Sequence, residues 1–349
     1  MADKQRGSRS ALIIVLTISV FFVGLIIGML LVHVSQKEKE MQEVSAGKSE
    51  PATTIQVSGG TEYVKIYVPK REVRYGTIPI HSWNKDGFRL DNGFMAYFDE
   101  EGNKISHLGV DISYHQEKID WEALKESPCE FVMLRCGYRG YTEGGLVEDE
   151  KFREYAQAAV DAGFPIGVYF FTQAITEEEA VAEADFVLEL IKDFPISYPV
   201  VIDTEYVSSE GARTNQAEMT EEERTQLLIT FCERVKEYGY YPMIYASENW
   251  LRRELEVSQL QPYEIWAPQY LEENDFMYDF TIWQYTDAGH IQGIEGVVDL
   301  DISMVDYAAF VPAMREAVVG EGEIIEVTDD TGSTNDMGDH ETGAKPDTE

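Results

Sequence analysis

Between residues 107 and 315, short apolar runs alternate with amphipathic segments, and this alternation limits the chain to a small set of folds. The runs LGVDIS, FVMLRCGY, PIGVYFF, PVVIDTE and YPMIYAS are brief, apolar and rich in β-branched or aromatic residues, the pattern of buried parallel strands. Each precedes a segment with helical apolar spacing: IDWEALKE, EDEKFREYAQAAVDAG, TEEEAVAEADFVLELIKDF, TEEERTQLLITFCERVKEYG and ENWLRRELE. Thr176 and Thr220 each stand three residues before a Glu, so both are predicted as N-caps with the capping-box signature. Three more strand-like runs, YEIWAPQY, FTIWQYT and VVDLDIS, follow without long helices. Five strand–helix units and three strands make eight strands, the number at which a parallel sheet closes into a barrel filled by side chains. The expected fold class is α/β, an irregular TIM-like barrel over 107–315. Alternation alone also fits an open doubly wound sheet, but no G-x-G-x-x-G or Walker pattern opens these helices, so a nucleotide role has no support.

The flanks read differently. Residues 1–10 form a short tail, and 11–34 (ALIIVLTISVFFVGLIIGMLLVHV) carry no formal charge and are long enough as a helix to cross a hydrocarbon layer of about 30 Å. A cleaved signal peptide is the other reading, but the run is long and ends without an A-x-A pattern. Lys4, Arg6 and Arg9 precede it, offset only by Asp3, while Lys37 and Lys39 beyond it alternate with Glu38 and Glu40. The positive-inside rule then keeps the N-terminus cytoplasmic and puts everything after residue 34 outside the cytoplasmic membrane. Residues 35–60 read as a flexible polar stalk and 61–106 as a small β-rich spacer, with DEEGN as a turn between possible strands. The acidic end, 316–349, lacks core-forming residues and is expected to be disordered.

A net charge of −36, from 64 acidic against 28 basic residues, repels nucleic acid, so no nucleic-acid partner is expected. Three cysteines, Cys129, Cys136 and Cys232, form no C-x-x-C pair, which argues against a disulfide framework and a zinc site. Buried free thiols are expected, with a Cys129–Cys136 bridge as the alternative. His107, His115 and His290 show neither clustering nor H-E-x-x-H spacing. No metal and no cofactor are implied.

In such barrels the active site lies at the C-terminal ends of the strands. Asp111 ends LGVDIS, Asp203 and Glu205 end PVVIDTE, and Asp299 with Asp301 occupy VVDLDIS. Side chains alternate along a strand, so Asp203 and Glu205 point to one side and Thr204 to the other. Neighbouring carboxyls oppose joint ionisation and an apolar wall favours the protonated form, so one stays an acid while the other is an anion, as glycosidic cleavage requires. A D-x-E at a strand end also serves as a helix cap or loop anchor, but here aromatic residues share the rim. Tyr138, Tyr169, Tyr245 and Trp283 are the candidate sugar-binding residues among them; Phe171, Trp266, Tyr270 and Tyr285 stand beside them. Arg135, in an apolar strand, needs a carboxylate partner, either one of these acids or a structural one.

The motifs GVDISYHQEKIDW, FVMLRCGY, GFPIGVYFF, PVVIDTE, MIYASENWL, IWAPQY and IWQYTDAGHIQGIEGVVDLDIS, in that order, resemble glycoside hydrolase family 25, the family of fungal and phage-type muramidases. The resemblance covers about residues 107–310. It implies hydrolysis, with retention, of the β-1,4 bond from N-acetylmuramic acid to N-acetylglucosamine in peptidoglycan glycan strands. It implies Glu205 as general acid and then base, Asp203 as its partner, and Asp111 and Asp299 as the other two active-site acids. In the family's usual mechanism the substrate's N-acetyl oxygen attacks the anomeric carbon; a carboxylate nucleophile is the competing proposal. Asp301 departs from the family's VDLN, which adds an acid near Asp299 and bears on the pH optimum. A wall-binding module that had lost catalysis would lack one of the acids, and all four are present.

Overall fold

All eight apolar runs are strands of one sheet in the computed structural model: β1 (His107–Ile112), β2 (Phe131–Arg139), β3 (Ile166–Phe171), β4 (Ile196–Asp203), β5 (Pro242–Tyr245), β6 (Glu264–Pro268), β7 (Ile282–Gly289) and β8 (Val298–Ser303). The structure describes residues 53–54, 65–66, 80–209, 211–271 and 274–316. The N-terminal tail, the apolar run 11–34, nearly all of the stalk, most of 61–79 and the acidic end from 317 lie outside the described residues. Among the described residues no helix is long and apolar enough to cross a membrane.

The sheet runs β1–β8–β7–β6–β5–β4–β3–β2, and β2 pairs with β1 to close it, so the open-sheet alternative falls away. The five runs read as parallel strands are parallel, and the irregularity lies in the last strand: β8 is antiparallel to both β7 and β1. Only residues 290–297 join β7 to β8, too few for a parallel crossover, which takes about a dozen or more. The longer segment 269–281 lets β6 and β7 stay parallel without a helix.

Helices α1 (Trp121–Lys125), α2 (Phe152–Asp161), α3 (Glu177–Ile191), α4 (Glu221–Glu237) and α5 (Glu248–Glu254) occupy the five expected segments. The capping box is complete at Thr220, whose hydroxyl accepts from Glu223 N while the Glu223 side chain accepts from Thr220 N. At Thr176 only half of it forms, because the Glu179 carboxylate accepts from Ile175 N instead. Burial follows the amphipathic pattern: Val187 and Ile191 on α3, and Phe231, Cys232 and Val235 on α4, are fully enclosed against the outer face of the sheet. Inward-facing side chains, among them Phe131, Met133, Tyr198, Val201, Met243, Trp266 and Ile282, fill the barrel as a second cluster. The three cysteines are buried free thiols, and the Cys129–Cys136 bridge is not formed.

The described part of the expected β-rich spacer is β-structured and packs on the barrel. Phe88–Asp91 and Phe94–Tyr97 form a hairpin that turns at Asn92–Gly93, both at positive φ (52° and 92°), the geometry an Asn-Gly pair is suited to. DEEGN makes a second turn, closed by a bridge between Phe98 and Lys104. Met95, Ala96 and Tyr97 are buried, Phe88 meets the Trp283 ring edge-on at 5.2 Å, and Trp83 Nε1 donates to Phe280 O at 2.8 Å. The hairpin thus covers the outer face of β7.

Candidate active site

The parallel strands end, and β8 begins, at one mouth of the barrel. Asp111, Arg135, Tyr169, Asp203, Tyr245, Trp266, Gln284 and Asp299 point into it from the eight strands, one from each. Together with Tyr114, His115, Tyr138, Tyr141, Phe171 and Glu205 they line a cleft of about 340 Å³. Tyr138 reaches the cleft because of an irregularity in β2: the register with β3 jumps between Arg135 and Gly137, which restores an inward position at Tyr138.

On β4 the alternation is as expected. Asp203 and Glu205 line the cleft, while Thr204 turns away and its hydroxyl accepts from Trp250 Nε1 at 3.0 Å. Backbone hydrogen bonds Thr172 N to Asp203 O and Thr204 N to Tyr245 O, both 3.0 Å, fix this strand end between its neighbours. The Asp203 and Glu205 carboxyls are hydrogen-bonded to each other. Burial raises the proton affinity of both; the charge of Glu205 raises that of Asp203 further, while the contact with Asp203 draws that of Glu205 back down, so the shared proton rests nearer Asp203. Oδ1 of Asp203 is buried and meets no N–H or hydroxyl donor, so a proton held between the two carboxyls satisfies the pair. Such a pair can deliver one proton to a leaving group and still keep a negative charge.

Across the cleft, Gln284 organises the other acids. Its Nε2 donates to Asp111 Oδ2 at 2.6 Å and lies 3.4 Å from Asp299 Oδ2, while its Oε1 accepts from the hydroxyls of Tyr245 (2.9 Å) and Tyr270 (2.6 Å). Asp111 is raised well above the usual carboxylate range by burial and by Asp299, and the hydrogen bond from Gln284 opposes that rise by favouring the anion. Asp299 is raised to about 6, first by burial and then by Asp287 and Glu205. Arg135 is held by a structural partner, not by one of these acids. Its Nε donates to Asp149 Oδ2 at 2.8 Å, and Nη2 lies 2.8 Å from the same oxygen as an ion pair without hydrogen-bond alignment. Its guanidinium lies between the rings of Tyr114 and Tyr138, 4.9 and 5.6 Å from their centroids.

Of the eight residues singled out in the sequence, Glu205, Asp203, Asp111, Asp299, Tyr138, Tyr169 and Tyr245 meet in this cleft. Trp283 does not. It has no exposed surface, points outward from β7 beneath the hairpin, and its Nε1 donates to Gln269 O at 2.8 Å. Because alternate residues share a face, Gln284 inside requires Trp283 outside. Asp301 is likewise not at the mouth: β8 runs downward from it, so Asp301 lies one layer deeper than Asp299. Gln284, Tyr114, His115 and Tyr141 were missed. Tyr114 and His115 directly follow GVDIS at a strand end, a position that marks the mouth; Tyr141 sits in the glycine-rich loop RGYTEGG, where no periodicity points.

The sequence pattern described as Glycosyl hydrolases family 25 matches residues 110–294, more than half of the chain and the whole of this site except Asp299. The chain belongs to glycosyl hydrolase family 25. As a family-25 glycoside hydrolase it is 26% identical over 215 residues to the uncharacterized protein YegX of Escherichia coli K12, covering 60% of this chain and 74% of that one. It is 24% identical over 194 residues to the autolytic lysozyme of Clostridium acetobutylicum, covering 55% and 54%. Among solved structures, the modular autolysin LytC of Streptococcus pneumoniae in complex with a synthetic peptidoglycan ligand superposes with a TM-score of 0.50 at 25% identity, covering 62% of this chain. The family-25 chain spans about half the length of that autolysin (52%).

Proposed function

We propose that this family-25 barrel is a muramidase, cutting the β-1,4 bond from N-acetylmuramic acid to N-acetylglucosamine in peptidoglycan with retention of configuration. The hydrogen-bonded Asp203–Glu205 pair at the cleft carries the reading. Glu205, the less buried of the two, takes up the proton the pair shares, gives it to the glycosidic oxygen and then draws one from water. Asp203 keeps the negative charge, orients the substrate's N-acetyl group and balances the positive charge of the oxazolinium ring formed when the acetyl oxygen attacks. Asp111 and Asp299, joined through Gln284, hold further negative potential toward the cationic sugar. Tyr138, Tyr169 and Tyr245 offer faces and hydroxyls to the glycan. Purified peptidoglycan digested with the protein, reduced with borohydride and analysed by mass spectrometry should carry reduced muramic acid at the new ends. Reduced glucosamine ends instead would make the protein a glucosaminidase and sink the muramidase reading.

We also propose that residues 11–34 anchor the chain in the cytoplasmic membrane with the barrel outside. The support is their 24 residues without formal charge and the basic residues that precede them. Protease added to intact, wall-stripped cells should remove the barrel. Full protection would reverse the orientation.

A further inference from the structure

Asp301 has no part in the chemistry above, yet it is fully enclosed inside the barrel. The antiparallel course of β8 puts it across from Gly109 on β1 and Gln284 on β7, beneath the level where Asp299 faces Asp111. Oδ1 accepts the indole N–H of Trp266 at 2.8 Å. Oδ2 is buried and meets no N–H or hydroxyl donor. The next side chain on that face of β1, two residues beyond Gly109, is a second carboxyl, that of Asp111, and the two acids interact directly. Two ionised carboxylates cannot be held in such contact away from water, because repulsion and lost hydration act in the same direction. A proton on one of them turns the contact into an O–H···O⁻ hydrogen bond, a strong kind.

Which carboxyl carries the proton follows from their other partners. Asp111 accepts from Gln284 Nε2 at 2.6 Å and neither of its oxygens is sealed from water without a donor, the surroundings of an anion, whereas Oδ2 of Asp301 is sealed without one. Asp301 has one outside donor, Trp266. The titratable groups around it are Asp111 on β1, Asp299 on its own strand, Cys129 ahead of β2 and Tyr285 on β7, and none of the four brings a positive charge. We infer that Asp301 is a positioning residue: as a neutral acid it donates a hydrogen bond to Asp111 from below, holding that carboxylate anionic and oriented toward the sugar site.

The kinetic consequence rests on the muramidase reading; the state of Asp301 does not. Asp301→Asn keeps an N–H donor in place without a titratable proton, and Asp301→Leu removes the donor at similar volume. On peptidoglycan, the full-length Asn variant should keep kcat within about threefold, while the Leu variant should lose roughly ten- to hundredfold in kcat at unchanged KM, the worth of a hydrogen bond to a charge. The acid limb of the Leu variant's kcat profile should move up by about one pH unit, because Asp111 without its donor binds a proton more readily. An infrared difference spectrum of wild type against Asp301→Asn near neutral pH should show one protonated-carboxyl band lost. An Asn variant as damaged as the Leu variant, or a Leu variant with wild-type kcat and acid limb, overturns the inference. So does an Asn variant that loses no such band. That last result is readable even where the Leu variant does not fold, or where the protein cuts a different glycan.

Discussion

Glu205→Gln should reduce kcat on peptidoglycan by about a thousandfold with KM changed only a few-fold, since a general acid contributes roughly 10²–10⁴ and an amide keeps the shape but has no proton to give. The same substitution should raise the thermal midpoint at neutral pH. Burial lifts the proton affinity of Glu205 and Asp203 in the folded state. A carboxyl whose folded pKa is raised costs stability as pH climbs from its unfolded value toward its folded one, because the native state must bear a buried charge that the unfolded chain accepts freely. Glu205→Gln removes one such group and relieves the repulsion on Asp203. Its Tm should therefore match wild type below about pH 4, the ordinary range of a free carboxyl, and exceed it increasingly toward neutrality. Activity within tenfold of wild type, in a variant that is folded by circular dichroism, would remove Glu205 from the role of proton donor.

The opposite signs of these two effects explain what could be read in advance. The barrel was legible because each early strand is apolar on both faces and each helix carries its own stripe and cap, so local pattern and final packing agree. Asp203 and Glu205 were legible for a related reason: an acid pair at the end of an apolar strand contradicts its surroundings, and such contradictions gather at functional sites. Where both faces of a strand are buried, the alternation loses its phase. FTIWQYT packs into the barrel on one face and under the hairpin on the other, so its pattern does not tell Trp283, which points away from the cleft, from Gln284, which reaches it. The direction of β8 was hidden in a loop length, and with it the depth of Asp301. Tyr138 depends on a register jump in β2 that no periodic template contains. The turn read at DEEGN is present, but the hairpin itself turns at Asn92–Gly93, a pair passed over in the sequence, and its packing on β7 is a non-local contact nearly two hundred residues away.

Asp203→Asn should separate the two retaining mechanisms, because each asks something different of this side chain. If the substrate's own acetyl oxygen attacks, Asp203 must be anionic as the oxazolinium forms, and the protein never becomes bonded to sugar. An amide in its place is nearly isosteric but neutral, and it loses the charge that the cationic ring needs inside a site where burial strengthens every electrostatic effect. The expected loss is about a hundred- to thousandfold in kcat, the scale of removing one preorganised electrostatic partner, with KM little changed. A thiazoline analogue of the ring should inhibit wild type competitively and bind Asp203→Asn distinctly more weakly, because the analogue carries the ring that the lost charge would have balanced. If a carboxylate attacks instead, a fluorosugar substrate that slows the second step should leave a covalent mass increment on a peptide containing Asp203, Asp111 or Asp299. The pair geometry favours the first course. Asp203 is almost fully enclosed, with its carboxyl turned to Glu205, and an enclosed group is better placed to balance a charge than to form and break a bond to an incoming sugar. Wild-type protein free of adduct after prolonged incubation, together with tight thiazoline inhibition that weakens in Asp203→Asn, is the expected outcome. A stable adduct on any of the three aspartates would overturn acetyl participation and leave the glycoside hydrolase itself standing.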